Sequence, residues 1–488
     1  MGTHGAESKP ITLHSRTEFW YSKRQALLLL ALIFLLAHLI SYLIPPFQSP
    51  DEIGHVGRAY LLSKGELLWD SEDGALGGKI DTGLLSYGGS FFRMAFRYER
   101  KVTNPSVSSL RTITWSEKRQ FEDLSNTVDY FPLPYIPQAF AFMLGEKIGL
   151  TVSSTYYLAR LLSLIATLGL LCAALLSYEV PLFVLALFFT PMTLFQLGSA
   201  SLDSVSFGTT VLAASLFMRG SDTTLTFNAR MHFALAVCIF LLATSRIYLF
   251  PLTILPAFLT KVRHSRAYLA SAAVLFILSL CWILFAALKV VHDNYSQPDM
   301  AVSAVAIHYL TNLGSLFRAL FSTLTSFEKL RSYWSMFVGI LGWLDTPLAT
   351  SVYITFGVLL LALSTISLHH DVRSLFNRGN LTLAFVAAAC LSSLFLIGLF
   401  AWSPYPTKVI EGIQGRYFTP ILIFLGFSVF SRRLRASELK LGFVIVLIMI
   451  SLSVRTMIPT LLNRYWIYDP NVSANYAPLA ELRLAGAP

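Results

Sequence analysis

Read as a pattern of apolar and polar positions, the chain resolves into apolar runs of about 18 to 22 residues separated by short polar connections, and such runs fit the roughly 20 residues that a helix needs to cross a bilayer. The pattern predicts spans near residues 25–44, 157–178, 180–200, 203–219, 230–246, 247–260, 267–289, 348–368, 381–402, 417–431 and 440–458. That makes about 11 transmembrane helices, within a range of about 10 to 13, because the third to sixth runs are short and their limits soft. The expected fold is an all-α polytopic membrane protein with one transmembrane domain over residues 25–458.

The connections assign an orientation. Residues 1–24 are read as a cytoplasmic N-terminus. Alternating spans then place Lys9, Arg16, Lys23 and Arg24 on the cytoplasmic side. Arg219, Arg230, Lys261, Arg263, Arg266, Arg373, Arg378, Arg432, Arg433, Arg435 and Lys440 follow them there, as the positive-inside rule requires. Two long loops then face out, at 45–156 and 290–347, together with the short loop Ser403–Arg416 and a C-terminal tail, 459–488. Within the first loop "YFPLPYIPQAFAFMLG" reads as a helix lying at the membrane surface over Tyr130 to Leu144, because a further full span would put every later basic cluster outside. The segments Ala301–Leu324 and Trp334–Leu344 read as interfacial too.

Composition sharpens this picture. The 488 residues are 55% hydrophobic and only 13% charged, against about a quarter charged in a soluble domain. The net charge of +10 lies between the spans in no compact basic tract, so membrane lipids rather than nucleic acid are the expected partners. Cys172, Cys238, Cys281 and Cys390 all sit in apolar runs without a neighbouring metal-ligand spacing. No P-loop, GxGxxG or HExxH occurs, which removes support for ATP-driven and zincin chemistry.

Ionisable groups at span ends are costly unless paired or solvated, so they are the functional candidates. They fall on the predicted outer side: Asp51, Glu52, His55 and Arg58 after the first span, Arg160 at the start of the second, Asp203 in "GSASLDS", Arg246 in "TSRIYLFP", Asp345 in "GWLDTP", and Glu411, Gln414, Arg416 and Tyr417 in "IEGIQGRYFTP". "SPDE" also reads as a helix start, with Ser49 as N-cap, Pro50 in the first position and Glu52 closing a capping box. In such a helix Asp51, His55 and Arg58 share one face, opposite Ile53, Val56 and Tyr60, which predicts an amphipathic surface helix displaying the polar triad outward. Asp203 is otherwise an N-cap, Arg246 a snorkelling side chain and Arg160 an anchor or a second phosphate contact. Gly415 beside Arg416 is read as letting a ligand approach the backbone. "DSED" at Asp70–Asp73 reads as a loop.

The elements "PPFQSPDEIGHVGRAY", "YFPLPYIPQAFA", "YYLARLLSLI", "GSASLDS", "GWLDTP" and "GIQGRYFTP", in this order, resemble the bacterial membrane family catalogued as domain of unknown function 2142. That family in turn is similar to the GT-C superfamily of integral membrane glycosyltransferases. The likeness implies a GT-C-like fold, a location in the bacterial cytoplasmic (inner) membrane and an extracytoplasmic active site. It further implies transfer of a sugar from a polyprenyl-phosphate donor to a cell-envelope glycan or lipid acceptor. Asp51 matches the acidic position that is catalytic in GT-C enzymes. Other members often carry histidine or another polar residue where this chain has Phe131, and lysine where it has Arg246.

A polyprenyl phosphate leaves without protonation, so one carboxylate base suffices. Asp51 is the expected base, supported by Glu52, His55, Asp203 and Asp345. Arg416, Arg246, Arg58, Gln414, Tyr417 and Arg160 are the expected donor-binding set. The sequence names no definite cofactor; a divalent cation bridging Asp51, Asp203 and the phosphate is the candidate metal. The rival reading is a transporter or flippase of lipid-linked saccharides, which should carry its ionisable groups at mid-membrane in repeated halves. A third is a structural partner in envelope assembly.

Overall fold

The computed structural model describes residues 18–19, 21–127, 129–289, 302–368 and 376–467. Lys9, Arg16 and Arg373, and the tail beyond Ile467, lie outside the described residues.

The helices run in chain order as α1 (Lys23–Leu43), α2 (Glu52–Ser63), α3 (Thr82–Phe92), α4 (Asn104–Arg111), α5 (Ile136–Lys147), α6 (Val152–Ser177), α7 (Leu182–Ala186), α8 (Pro191–Leu197), α9 (Asp203–Ser221) and α10 (Ala229–Ser245). Then follow α11 (Leu255–Arg263), α12 (Ala267–Lys289), α13 (Val302–Thr311), α14 (Leu313–Thr325), α15 (Phe327–Gly339), α16 (Thr350–Ser367), α17 (Arg378–Ile397), α18 (Phe418–Val429) and α19 (Ala436–Tyr465). This is a mostly helical polytopic architecture, as the hydropathy pattern predicts. Among the described residues six helices are long and apolar enough to span a bilayer: α1, α6, α12, α16, α17 with its extension to Trp402, and α19. Their outer faces carry bare leucines, such as Leu35 on α1 and Leu361 on α16, as lipid-facing surfaces do.

The predicted spans differ from the observed elements where proline intervenes. The run 180–200 is no single helix. Pro181 and Pro191 break it into α7, a short 3-10 turn at Leu187–Phe189 and α8, because a proline ring cannot continue the hydrogen-bond ladder. The run 247–260 likewise begins as a 3-10 helix, Ile247–Ile254, around Pro251. Pro459, by contrast, is absorbed within α19, which continues to Tyr465 rather than ending near residue 458. Helix α9 is buried on nearly every side, the signature of a central helix packed by neighbours all round.

The two ends of the bundle differ in charge. At one end Glu18–Phe19 pairs antiparallel with Leu434–Arg435. Arg219 and Arg263 tie the α9–α10 and α11–α12 connections together through the carbonyls of Thr226, Gly220 and Asp222. Arg432 joins them through Asp222 at 3.5 Å. The basic connections therefore converge on one face. Helix α1 leaves that face and, at 21 residues, runs about 31 Å to the other.

The opposite end carries a cap built from residues 44–151. Its three-stranded antiparallel sheet comprises Asp70–Glu72, Ala75–Asp81 and Arg119–Asp123, so "DSED" forms a hairpin rather than an open loop. The expected surface helix α2 is instead enclosed by this sheet and α5, and His55 and Arg58 are each only 1% exposed. Of the polar triad, His55 and Arg58 do not face outward. The cause is tertiary: Gly54 and Gly57 let the segment Leu124–Thr127 close against α2, and a Cβ at Gly54 would lie 2.6 Å from Thr127 Oγ1. Helix α5 keeps part of its predicted interfacial character, with Ile136, Phe140 and Met143 exposed on one side and Gln138 and Phe142 buried on the other.

Candidate functional site

The site begins where α1 meets the cap. The last carbonyls of a helix have no partner within it. Here Arg160 of α6 supplies one, donating from Nη1 to the carbonyls of Ser41 and Ile44 at 2.7 and 2.8 Å and from Nη2 to that of Pro45 at 3.2 Å. The same guanidinium meets Glu52 at 3.1 Å, with both side chains at most 1% exposed. Glu52 also accepts from the Tyr156 hydroxyl and the Ala200 N–H, each at 2.6 Å. This knot fixes the turn between α1 and α2.

Held there, Asp51 adopts a left-handed backbone (φ 61°) and precedes the first residue of α2. Aspartate is among the few non-glycine residues that tolerate that region. The predicted capping box is half realised: Ser49 N donates to Glu52 Oε2 at 3.2 Å, while the Ser49 hydroxyl turns to Gln196 instead. The helix starts at Glu52 rather than Pro50.

Four residues from distant segments then meet. Arg416, on the 3-10 turn Gly415–Tyr417 before α18, donates from Nη2 to Asp51 Oδ2 at 2.8 Å. Its Nη1 lies 3.2 Å from Asp203 Oδ2, and the other Asp203 oxygen binds Arg246. Asp203 is the first residue of α9 and makes no capping bond. Arg246 sits between α10 and the following 3-10 helix and is 5% exposed, so it is not a snorkelling side chain. Aromatic rings enclose the cations, Tyr417 at 5.5 Å from Arg416 and Tyr130 at 5.3 Å from Arg246. Side-chain exposure is 1% for Arg416, 4–5% for Asp203 and Arg246, and 32% for Asp51. Asp51 alone of the four reaches the surface. Its Oδ1 has one weak contact, Asn126 Nδ2 at 3.4 Å, and is the atom available to a ligand.

The remaining predicted residues divide. Glu52 and Arg160 neutralise each other inside the protein, both closed off from the surface. Asp345 pairs with Arg464 at 2.8 Å and accepts from Phe96 N–H, locking the end of α19 onto the cap. His55 turns its Nδ1 to the Tyr135 hydroxyl at 2.8 Å rather than to Asp51. Burial, and then the charge of Arg246, push its pKa down to about 3, so the ring is neutral. Gln414 is next to the network, with Oε1 buried and no hydrogen-bond partner among the described residues. Glu411 pairs with Lys329 on the rim. Gly415 does not open the backbone to a ligand: a Cβ there would lie 2.1 Å from Phe337 N, so the glycine admits α15.

Three residues at the site were not among the sequence candidates: Asn126, Asp129 and Tyr130. Asp129 precedes the "YFPLPY" element, and the rule applied to ionisable groups at span ends, extended to interfacial helices, would have found it. Burial, the largest influence, pushes its pKa up to about 7 against the opposing charges of Arg246 and Arg58. Among the described residues Arg58 makes one hydrogen bond, Nη2 to the Leu67 carbonyl at 3.3 Å; its buried Nε and Nη1 have no hydrogen-bond partner there.

A bridging cation does not fit these donors. The Arg416 guanidinium occupies the place between Asp51 and Asp203 that such an ion would need, and no group of three potential ligands occurs among the described residues. A separate cavity of about 560 Å³, lined by Asp222, Lys261, Arg378 and Arg432 among others, lies at the basic end and shares no residue with the network.

No curated protein and no solved structure matches the chain. The family described as a predicted membrane protein, DUF2142, matches residues 34–425, a stretch that begins within α1, ends within α18 and contains Asp51, Asp203, Arg246 and Arg416. The chain belongs to this membrane protein family.

Proposed function

We propose that the protein is an integral membrane glycosyltransferase of GT-C type, moving a sugar from a polyprenyl-phosphate donor to a cell-envelope glycan or lipid acceptor outside the cytoplasmic membrane. The observation that carries this reading is the exposure of Asp51 alone within an otherwise buried network of two arginines and two aspartates. A carboxylate held by one oxygen and free at the other is suited to accept a proton from an incoming hydroxyl. The convergence of the basic connections on the end remote from the network supports an extracytoplasmic Asp51, since the positive-inside rule expects such clusters on the cytoplasmic side.

In the proposed reaction Asp51 Oδ1 takes the acceptor's hydroxyl proton as that oxygen attacks the anomeric carbon. The bond from this carbon to the phosphate oxygen breaks on the opposite face, and the phosphate leaves as an anion, so the configuration inverts. Arg416 keeps Asp51 in place, and the positive ends of Arg416 and Arg246 stabilise charge growing on the phosphate. Glu52 and Arg160 support the turn that carries the base.

The test is glycosyl transfer in membranes or nanodiscs, from labelled polyprenyl-phosphate sugars, by wild type and Asp51→Asn. The variant should insert and fold, since asparagine tolerates the left-handed backbone, yet lose nearly all transfer. Full activity in that variant removes the assignment. Movement of lipid-linked saccharide across the bilayer without glycosidic bond formation supports the flippase reading instead.

A further inference from the structure

We propose that Arg58, Asp129 and the indole of Trp69 form a subsite for a neutral pyranose ring, the sugar of the acceptor, next to the Asp51 network. The inference rests on the transferase reading for the word acceptor, and on the geometry alone for the sugar.

Arg58 is 1% exposed, and burying a guanidinium whose Nε and Nη1 have no hydrogen-bond partner among the described residues is costly unless a ligand completes it. Asp129, half-buried, lies near enough for the two charges to influence each other, yet they form no ion pair among the described residues. A phosphate would suit Arg58 but be repelled by the ionised form of Asp129. An ammonium would suit Asp129 but be repelled by Arg58. A hydroxyl accepts from one and donates to the other, and vicinal hydroxyls on a ring do so at successive positions.

The aromatic surroundings fit the same ligand. The Arg58 guanidinium lies 6.0 Å over the Trp69 ring. Trp69 packs against Trp282 and Phe285 at 6.3 and 5.7 Å, and the Trp282 indole N–H donates to the Asp129 carbonyl at 2.9 Å. These half-buried rings offer flat apolar faces to the C–H side of a pyranose, while the charged pair serves its hydroxyls. Tyr130, the next residue after Asp129, stacks on His55 at 5.9 Å and lies under Arg246, which places the subsite beside the catalytic network. The segment Leu67–Trp69 roofs Arg58. Its Leu67 and Leu68 side chains are exposed and Gly65 precedes it with φ 80°, so an entering sugar displaces the Leu67 carbonyl and takes its place.

The experiment is saturation-transfer NMR on the full-length protein in nanodiscs, with a panel of methyl hexopyranosides and methyl N-acetylhexosaminides and with inorganic phosphate as the anionic probe. At least one pyranoside should bind, and Asp129→Asn and Trp69→Ala should each weaken it about tenfold, the scale of one hydrogen bond to a charged group. Trp69→Ala, at a surface turn, carries the test should Asp129→Asn fail to fold. Binding of no pyranoside overturns the proposal, as does binding indifferent to both variants. Phosphate binding lost in Arg58→Lys, in place of sugar binding, also overturns it. Sugar binding through Asp129 by a protein that transfers none leaves the subsite standing and removes the transferase reading; transfer unchanged in both variants removes the subsite alone.

Discussion

Glu52→Gln separates a structural carboxylate from a catalytic one. Glu52 is fully buried and makes four contacts: Arg160 at 3.1 Å, Tyr156 Oη and Ala200 N at 2.6 Å, and Ser49 N at 3.2 Å. The amide keeps one acceptor oxygen but turns an NH₂ toward a backbone donor, and it leaves Arg160 without a counter-charge. Removing one partner of a buried pair costs about 3–5 kcal/mol, which is roughly two to four powers of ten in the folded-to-unfolded ratio. Arg160→Met should cost at least as much, because the carbonyls of Ser41, Ile44 and Pro45 lose their donor as well. The double variant should be less destabilised than the sum by about 2–3 kcal/mol, since neither charge is then stranded. The readout is the fraction of detergent-solubilised protein that remains monodisperse after timed heat challenge, which reports kinetic stability. A Glu52→Gln protein with wild-type heat tolerance and abolished turnover refutes the reasoning and returns Glu52 to the chemistry.

Arg416→Gln should reduce turnover by about 10²–10³ as the anion-stabilising and Asp51-positioning group is lost, with a smaller effect on heat tolerance because Asp203 keeps Arg246. Heat tolerance unchanged together with unchanged turnover would contradict the network. Gly415→Ala should destabilise by about 1–3 kcal/mol, because its methyl group meets the α15 backbone; a normally folded variant would mean the turn can shift. Heat tolerance should decline as pH falls from about 6.5 toward 3: His55 is neutral in the fold down to about pH 3, while the unfolded chain takes up the proton near 6.5. The decline should shrink in His55→Gln. Asp129 acts in the opposite sense: its folded pKa near 7 exceeds the unfolded value near 4, so its contribution is lost as pH rises toward 7, and Asp129→Asn should flatten that limb. The other groups facing Asp129 or His55 are Arg58, Tyr130, Tyr135, Asp203, Arg246 and Arg416, and the arginines and tyrosines among them keep their protons between pH 4 and 8.

By itself the sequence determined the membrane class, because apolar runs of bilayer length have no soluble alternative that buries them. It also singled out the ionisable residues at span ends, and of these Asp51, Asp203, Arg246 and Arg416 do meet. Local pattern could not say which charge neutralises which. Glu52 and Asp51 are adjacent and look equivalent, yet a left-handed residue at Asp51 sends one carboxylate to the mouth of the site and the other to Arg160. The periodicity of α2 suggested a surface helix, since hydrophilic side chains on one face usually mean water. Only the tertiary structure decided that this face meets Tyr135 and Tyr130 and is sealed by the segment Leu124–Thr127. Pairings between residues more than a hundred positions apart depend on how helices stack, and no local spacing encodes them.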